Sequence, residues 1–109
     1  MPFDVDLARR VRQHLAATRG VTEKGMFGGT AFFVGGNLCV GVIRDDLVAR
    51  VGPERFPEAM ERVGSRPFTM TGRPLSGWVV VAPAACADDR VLAGWIDEAL
   101  EYVVTLPNA

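Results

Sequence analysis

Apolar positions along the chain recur with two periods, and each change of period marks a new element. Phe3, Leu7, Val11 and Leu15, with Ala8 beside them, repeat at helical spacing and form one apolar stripe. Asp4 and Asp6 stand where a helix N-terminus favours negative charge, and Gly20 ends the segment. From Met26 the period shortens: residues 26–34 and 38–43 are two β-rich runs joined by Gly35-Gly36-Asn37, the glycine-rich connection of a tight hairpin. Asp45-Asp46 supplies a second turn. A third strand follows over residues 47–51, in which Leu47, Ala49 and Val51 alternate with Val48 and Arg50 and put one face on a core.

Gly52-Pro53-Glu54 then opens a second helix, with Pro53 at the first helical position, where a missing amide donor matters least. Phe56, Met60 and Val63 give it one packed face, and Gly64 stops it. Residues 66–71 are a short strand with Phe68 and Met70 on one face; 72–77 are a turn; 78–82, Trp-Val-Val-Val-Ala, are strongly β-prone. The last helix runs from about residue 88 to 104, capped by Asp88 or Asp89, with Val91, Leu92, Trp95, Ile96, Ala99, Leu100 and Val103 as its broad apolar face. The order is helix, three strands, helix, two strands, helix. The hairpin from Met26 to Ile43 is the centre of the sheet that the helices cover.

A length of 109 residues sets the bound at one domain, residues 1–109, and 49% hydrophobic with 23% charged residues is the balance of a globular chain. The formal net charge of −1 gives no global field toward nucleic acid or an anionic membrane, which leaves only a local patch for such contacts. No apolar run is long enough to span a bilayer, and the short acidic N-terminus interrupted by Arg9, Arg10 and Arg12 is unlike a secretory signal. A cytoplasmic chain is expected, with Cys39 and Cys86 reduced and Cys39 serving as a small core residue.

No catalytic signature accompanies these elements. The two cysteines and the single histidine lack metal-ligand spacing, and no Ser/His/Asp or Cys/His set is present, so neither a metal nor a cofactor is expected. Gly28-Gly29 precedes no helix and lacks the spacing of a phosphate loop; a strand irregularity is the simpler reading. Glu54, Glu58 and Glu61 read as the solvated face of the second helix. Arg9, Arg10, Arg12 and Gln13 line the polar face of the first, either as a basic strip that meets phosphate or an acidic partner, or as an ordinary solvated face. His14 lies on or near that face and reads as an unpaired surface residue.

Five stretches in order carry a resemblance: Met26-Phe27-Gly28-Gly29; Arg50-Val51-Gly52-Pro53-Glu54; Phe68 with Gly72-Arg73-Pro74; Gly77-Trp78-Val79; and Leu92-x-x-Trp95-x-x-x-Ala99-Leu100-x-Tyr102 with Leu106-Pro107. From about Val11 to Pro107 the chain resembles the N-terminal domain of the TfoX/Sxy family. The resemblance implies an α+β two-layer sandwich similar to the secretion chaperones, with an antiparallel five-stranded sheet. It also implies a role in bacterial regulation: the named members are positive regulators of competence genes, acting with the cyclic-AMP receptor protein at promoters. Those regulators carry a second, C-terminal domain, whereas this chain stops at Ala109 and is read as a stand-alone N-terminal domain.

Arg73, between Gly72 and Pro74 in a rigid turn, presents a fixed fork to an anion or a partner carboxylate, or closes an internal salt bridge. Arg73, Arg50 and the helix-one arginines are the candidate contacts. Two function classes follow. One is a non-catalytic regulatory module that binds a transcription factor or DNA and forms a homodimer over a sheet face or edge. The other is a small-molecule-binding domain or small enzyme with a pocket beside the sheet.

Overall fold

Asp4 starts the fold by accepting the Leu7 amide at 3.0 Å, which caps α1 (Val5–His14) at its N-terminus. The computed structural model of the protein describes residues 3–26, 28–70 and 72–109. Six strands follow α1 in one antiparallel sheet: β1 (Val21–Met26), β2 (Gly29–Val34), β3 (Asn37–Ile43), β4 (Asp46–Arg50), β5 (Ser65–Met70) and β6 (Arg73–Val81). Their spatial order is β1-β2-β3-β4-β6-β5. Two short helices, α2 (Phe56–Ala59) and α3 (Pro83–Cys86), precede the long α4 (Asp89–Val103), whose N-cap Asp88 accepts the Arg90 amide at 2.8 Å.

The α+β class with an antiparallel sheet is as expected, and so is a central hairpin closed by glycines, though Asn37, expected in the turn, already belongs to β3 and the turn is Gly35-Gly36 alone. Val34 pairs with Asn37 across Gly35-Gly36, both at positive φ as such a turn requires. The sheet has a sixth strand because residues 21–26, a polar run with no apolar alternation, form an edge strand on β2. A turn at Gly28 therefore separates β1 from β2. Three further boundaries differ from the sequence reading. The β3–β4 turn is Arg44-Asp45, and Asp46 already pairs with Ile43. The expected turn over 72–77 is mostly strand, since β6 begins at Arg73 and pairs with Met70. The second helix is only four residues long, so Val63 lies outside it and is 89% exposed. Phe27 and Thr71, assigned above to strands, lie outside the described residues, as does the side chain of Met70.

All four helices cover one face of the sheet. Phe32, Val40, Val42, Leu47, Ala49, Val51, Val79 and Val81 project toward them and meet Leu7, Val11, Trp95, Ile96 and Val103 in a single core. Each large side chain so buried contributes about 1.5–3 kcal/mol. Strict alternation places Val48 and Arg50 of β4 on the opposite, helix-free face. Where β4 ends, two glycines at positive φ meet. The Gly77 carbonyl accepts the amides of Val51 at 2.8 Å and Gly52 at 3.2 Å, and a Cβ on Gly77 would lie 2.8 Å from the Gly52 carbonyl carbon. A Cβ on Gly52 would enter the Tyr102 ring.

Candidate interaction surface

The three helix-one arginines do not form a free strip, because each turns toward a different carboxylate. Arg9 donates to Asp6 at 2.6 Å and to Gln13 at 3.1 Å, staying within its own helix. This hydrogen bond, with the charge behind it, holds the Asp6 carboxyl below its ordinary pKa. Arg10 reaches the start of α4, donating to Asp89 at 2.7 Å and to the Cys86 carbonyl at 2.7 Å, with its side chain 19% exposed. Arg12 forks onto both oxygens of Glu23 on β1, at 2.7 and 2.8 Å. The Glu23 pKa is lowered chiefly by the Arg12 hydrogen bond, against desolvation, with the Thr30 hydroxyl also donating. His14, expected to be unpaired, is 2.8 Å from Asp97 and ties α1 to α4.

Arg50 and Arg73 are placed elsewhere. Arg50 lies on the helix-free face, its guanidinium 4.9 Å from the Trp78 ring centroid and 5.7 Å from that of Tyr102. It thus joins three stretches that are far apart in sequence: the Arg50–Glu54 run, Gly77-Trp78, and Tyr102 of α4. Arg73 is exposed at the start of β6, in a strand rather than in the rigid turn expected for it. The five candidate arginines therefore do not converge on one site.

Sequence reasoning missed what the helix-free face holds. Ala31, Val48 and Val80 are at most 6% exposed, yet they stand outside the core beneath the helices. Around Ala31 and Val48 stand Met26 of β1, Leu38 and Ile43 of β3, and Phe68 and Trp78 of β5 and β6. The result is an apolar groove with a floor of small residues, Ala31 and Gly41 among them. Its walls, including Met26, Leu38, Ile43, Phe68 and Trp78, are half-buried. Phe68 and Trp78 are tilted neighbours with ring centroids 6.2 Å apart. The groove holds only about 20 Å³ of ligand space, well below the roughly 300 Å³ of a small-molecule pocket.

Charge divides between the two layers. Arg9, Arg10, Arg12, Arg55 and Arg62 on the helix side each have a carboxylate partner. Six cations have none among the described residues: Arg19 and Arg90 on the helix side, and Lys24, Arg44, Arg50 and Arg73 on strands or strand turns. Both edges are guarded against added strands. Lys24 and Glu23 lie on β1, and Pro67, with Arg66 paired to Asp46 at 2.9 Å, lies on β5.

The two thiols are sealed in the interior. Burial raises the Cys39 pKa to about 12 and the Cys86 pKa to about 11, well above a reactive range. No group of three or more His, Cys, Asp or Glu placed to hold a metal is found among the described residues.

Fold and surface define an α+β domain with one face sealed by helices and an apolar groove on the other. The sequence profile of the TfoX N-terminal domain matches residues 13–103, nearly the whole chain, and the chain belongs to that family. No curated protein and no solved structure matches it.

Proposed function

We propose that this chain is a non-catalytic regulatory module of bacterial transcription that acts through protein contacts. The observation that carries the reading is family membership over residues 13–103. The partner class this suggests is an activator of the cyclic-AMP-receptor type. Protein contact is favoured over DNA because Arg9, Arg10 and Arg12 are neutralised by Asp6, Asp89 and Glu23, which leaves no basic stripe on α1 for phosphate. Catalysis through a cysteine nucleophile is disfavoured by the sealed thiols, both held well above a reactive range by burial. Among the described residues no helix is long and apolar enough to cross a membrane.

A pocket beside the sheet is the competing reading. An open cleft of about 430 Å³ lies between α1 and α4, but its polar lining, Arg9, Arg10, His14 and Asp89, is already paired. The test is transcription in vitro from an activator-dependent promoter, with and without the chain, alongside duplex-DNA anisotropy. Stimulation that requires the activator, with no salt-sensitive DNA binding, is the expected result. Tight, salt-sensitive binding to duplex DNA alone, or no effect on any activator tested, would overturn the proposal.

A further inference from the structure

Within the reading of the chain as a protein-contact module, we propose that the helix-free groove docks an amphipathic helix from a partner protein. The partner's apolar stripe lies between Met26 and Trp78, and its Asp and Glu flanks lie on Lys24 and Arg50. Three observations select this occupant. The groove has an aliphatic floor and half-buried apolar walls, a shallow surface that a partner's apolar side chains can cover, and too little enclosed room for a free small ligand. The guarded edges leave the face, and not strand addition, as the route of contact. The face also holds Lys24 and Arg50 with no carboxylate partner among the described residues, whereas Asp46 on the same face is paired with Arg66; in the β3–β4 turn the charges of Arg44 and Asp45 offset each other.

The same charges disfavour the other occupants. A second copy laid face to face would set the same cations, Lys24 and Arg50, on both sides of the contact, and Asp46 of that face is already paired with Arg66. Single-stranded nucleic acid stacks its bases on open aromatic faces, but Lys24 already covers Phe33 at 5.6 Å and Arg50 covers Trp78 at 4.9 Å. A stacked guanidinium still presents its edge N–H groups, so Arg50 keeps the capacity to receive a carboxylate.

The full chain is titrated with a fluorescein-labelled synthetic peptide about four helical turns long, with Leu at i, i+3, i+4 and i+7 spacing and Glu elsewhere. Three probes serve as controls: the same residues with Leu scattered round the helix, the peptide with Lys in place of Glu, and an oligo-dT strand. The Leu/Glu peptide is expected to bind at least about tenfold more tightly than any control and to weaken with salt. Lys24→Glu, at an exposed position, should weaken it about tenfold with the melting temperature unchanged; Ile43→Asp should abolish it. Equal affinity for the scattered or Lys peptide, tighter binding of oligo-dT, or indifference to Lys24→Glu would overturn the proposal. A dimer seen by light scattering and dissolved by Ile43→Asp would assign the face to a second copy and overturn it too. Failure here with activator-dependent stimulation intact would remove this surface and leave the regulatory role standing.

Discussion

Gly77 shows how much one residue can decide. Its φ of +92° is a conformation that side chains resist, and an added Cβ would press into the backbone of Gly52, which cannot give way as a flexible side chain can. Gly77→Ala is therefore expected to lower stability by at least about 2 kcal/mol, read from the urea midpoint. The same change at Gly94, where an added Cβ meets nothing within 4 Å, should be neutral or mildly stabilising. Arginine chemistry at this scale depends equally on placement. Arg9 pairs with Asp6 on the solvent side of its own helix, whereas Arg62 stacks 4.6 Å from the Trp95 ring and pairs with both Glu98 and Glu58. Arg62→Gln should lower stability by about 1–2 kcal/mol and Arg9→Gln by less than about 0.5 kcal/mol, compared in the same denaturation series.

Between elements, the contacts that fix the helices on the sheet are ionic at the rim and apolar beneath. Arg12 with Glu23 joins α1 to β1, the edge strand with the weakest apolar pattern. The Glu23 carboxyl is held below its ordinary value of 4.5 in the folded chain, so its contribution is present above that pH and fades as pH falls through the lowered folded value. Wild type is accordingly expected to melt above Glu23→Gln at neutral pH, with the gap closing under acid. A gap that widens in acid would contradict the assignment. Arg12 and Glu23 are both partly open to water, so the neutral-pH gap is expected to be small and to shrink with salt.

For the whole molecule, the sequence was most informative where a single face is buried. Leu47, Ala49 and Val51 alternate as they do because β4 has the core on one side, and α4 shows its apolar face plainly for the same reason. β1 gave no such signal, since an edge strand of mostly exposed residues has no apolar period to read; pairing with β2 alone makes it a strand. The 72–77 stretch looked like a turn because glycine and proline usually end strands. Gly77 instead serves the close approach to Gly52, and that partner is distant in sequence. The candidate surface was the least legible part. Met26, Trp78 and Phe68 were readable only as sheet or core residues, because whether a face lacks helices is a property of topology. The partners of Arg10, Arg12 and His14 lie 79, 11 and 83 residues away along the chain, beyond any local pattern.

Cys39 and Cys86, one in the central sheet and one beside the Arg10 contact with α4, amount to a pair of clocks built into the chain. Neither thiol can meet a bulky disulfide reagent until its surroundings part, so the labelling rate measures how often each region opens. Cys86 ends the four-residue α3 and lies under a clamp of side-chain hydrogen bonds, whereas Cys39 is enclosed by the central strands. Under native conditions Cys86 should be labelled first. Arg10→Gln should speed its labelling while leaving that of Cys39 tied to unfolding of the whole domain.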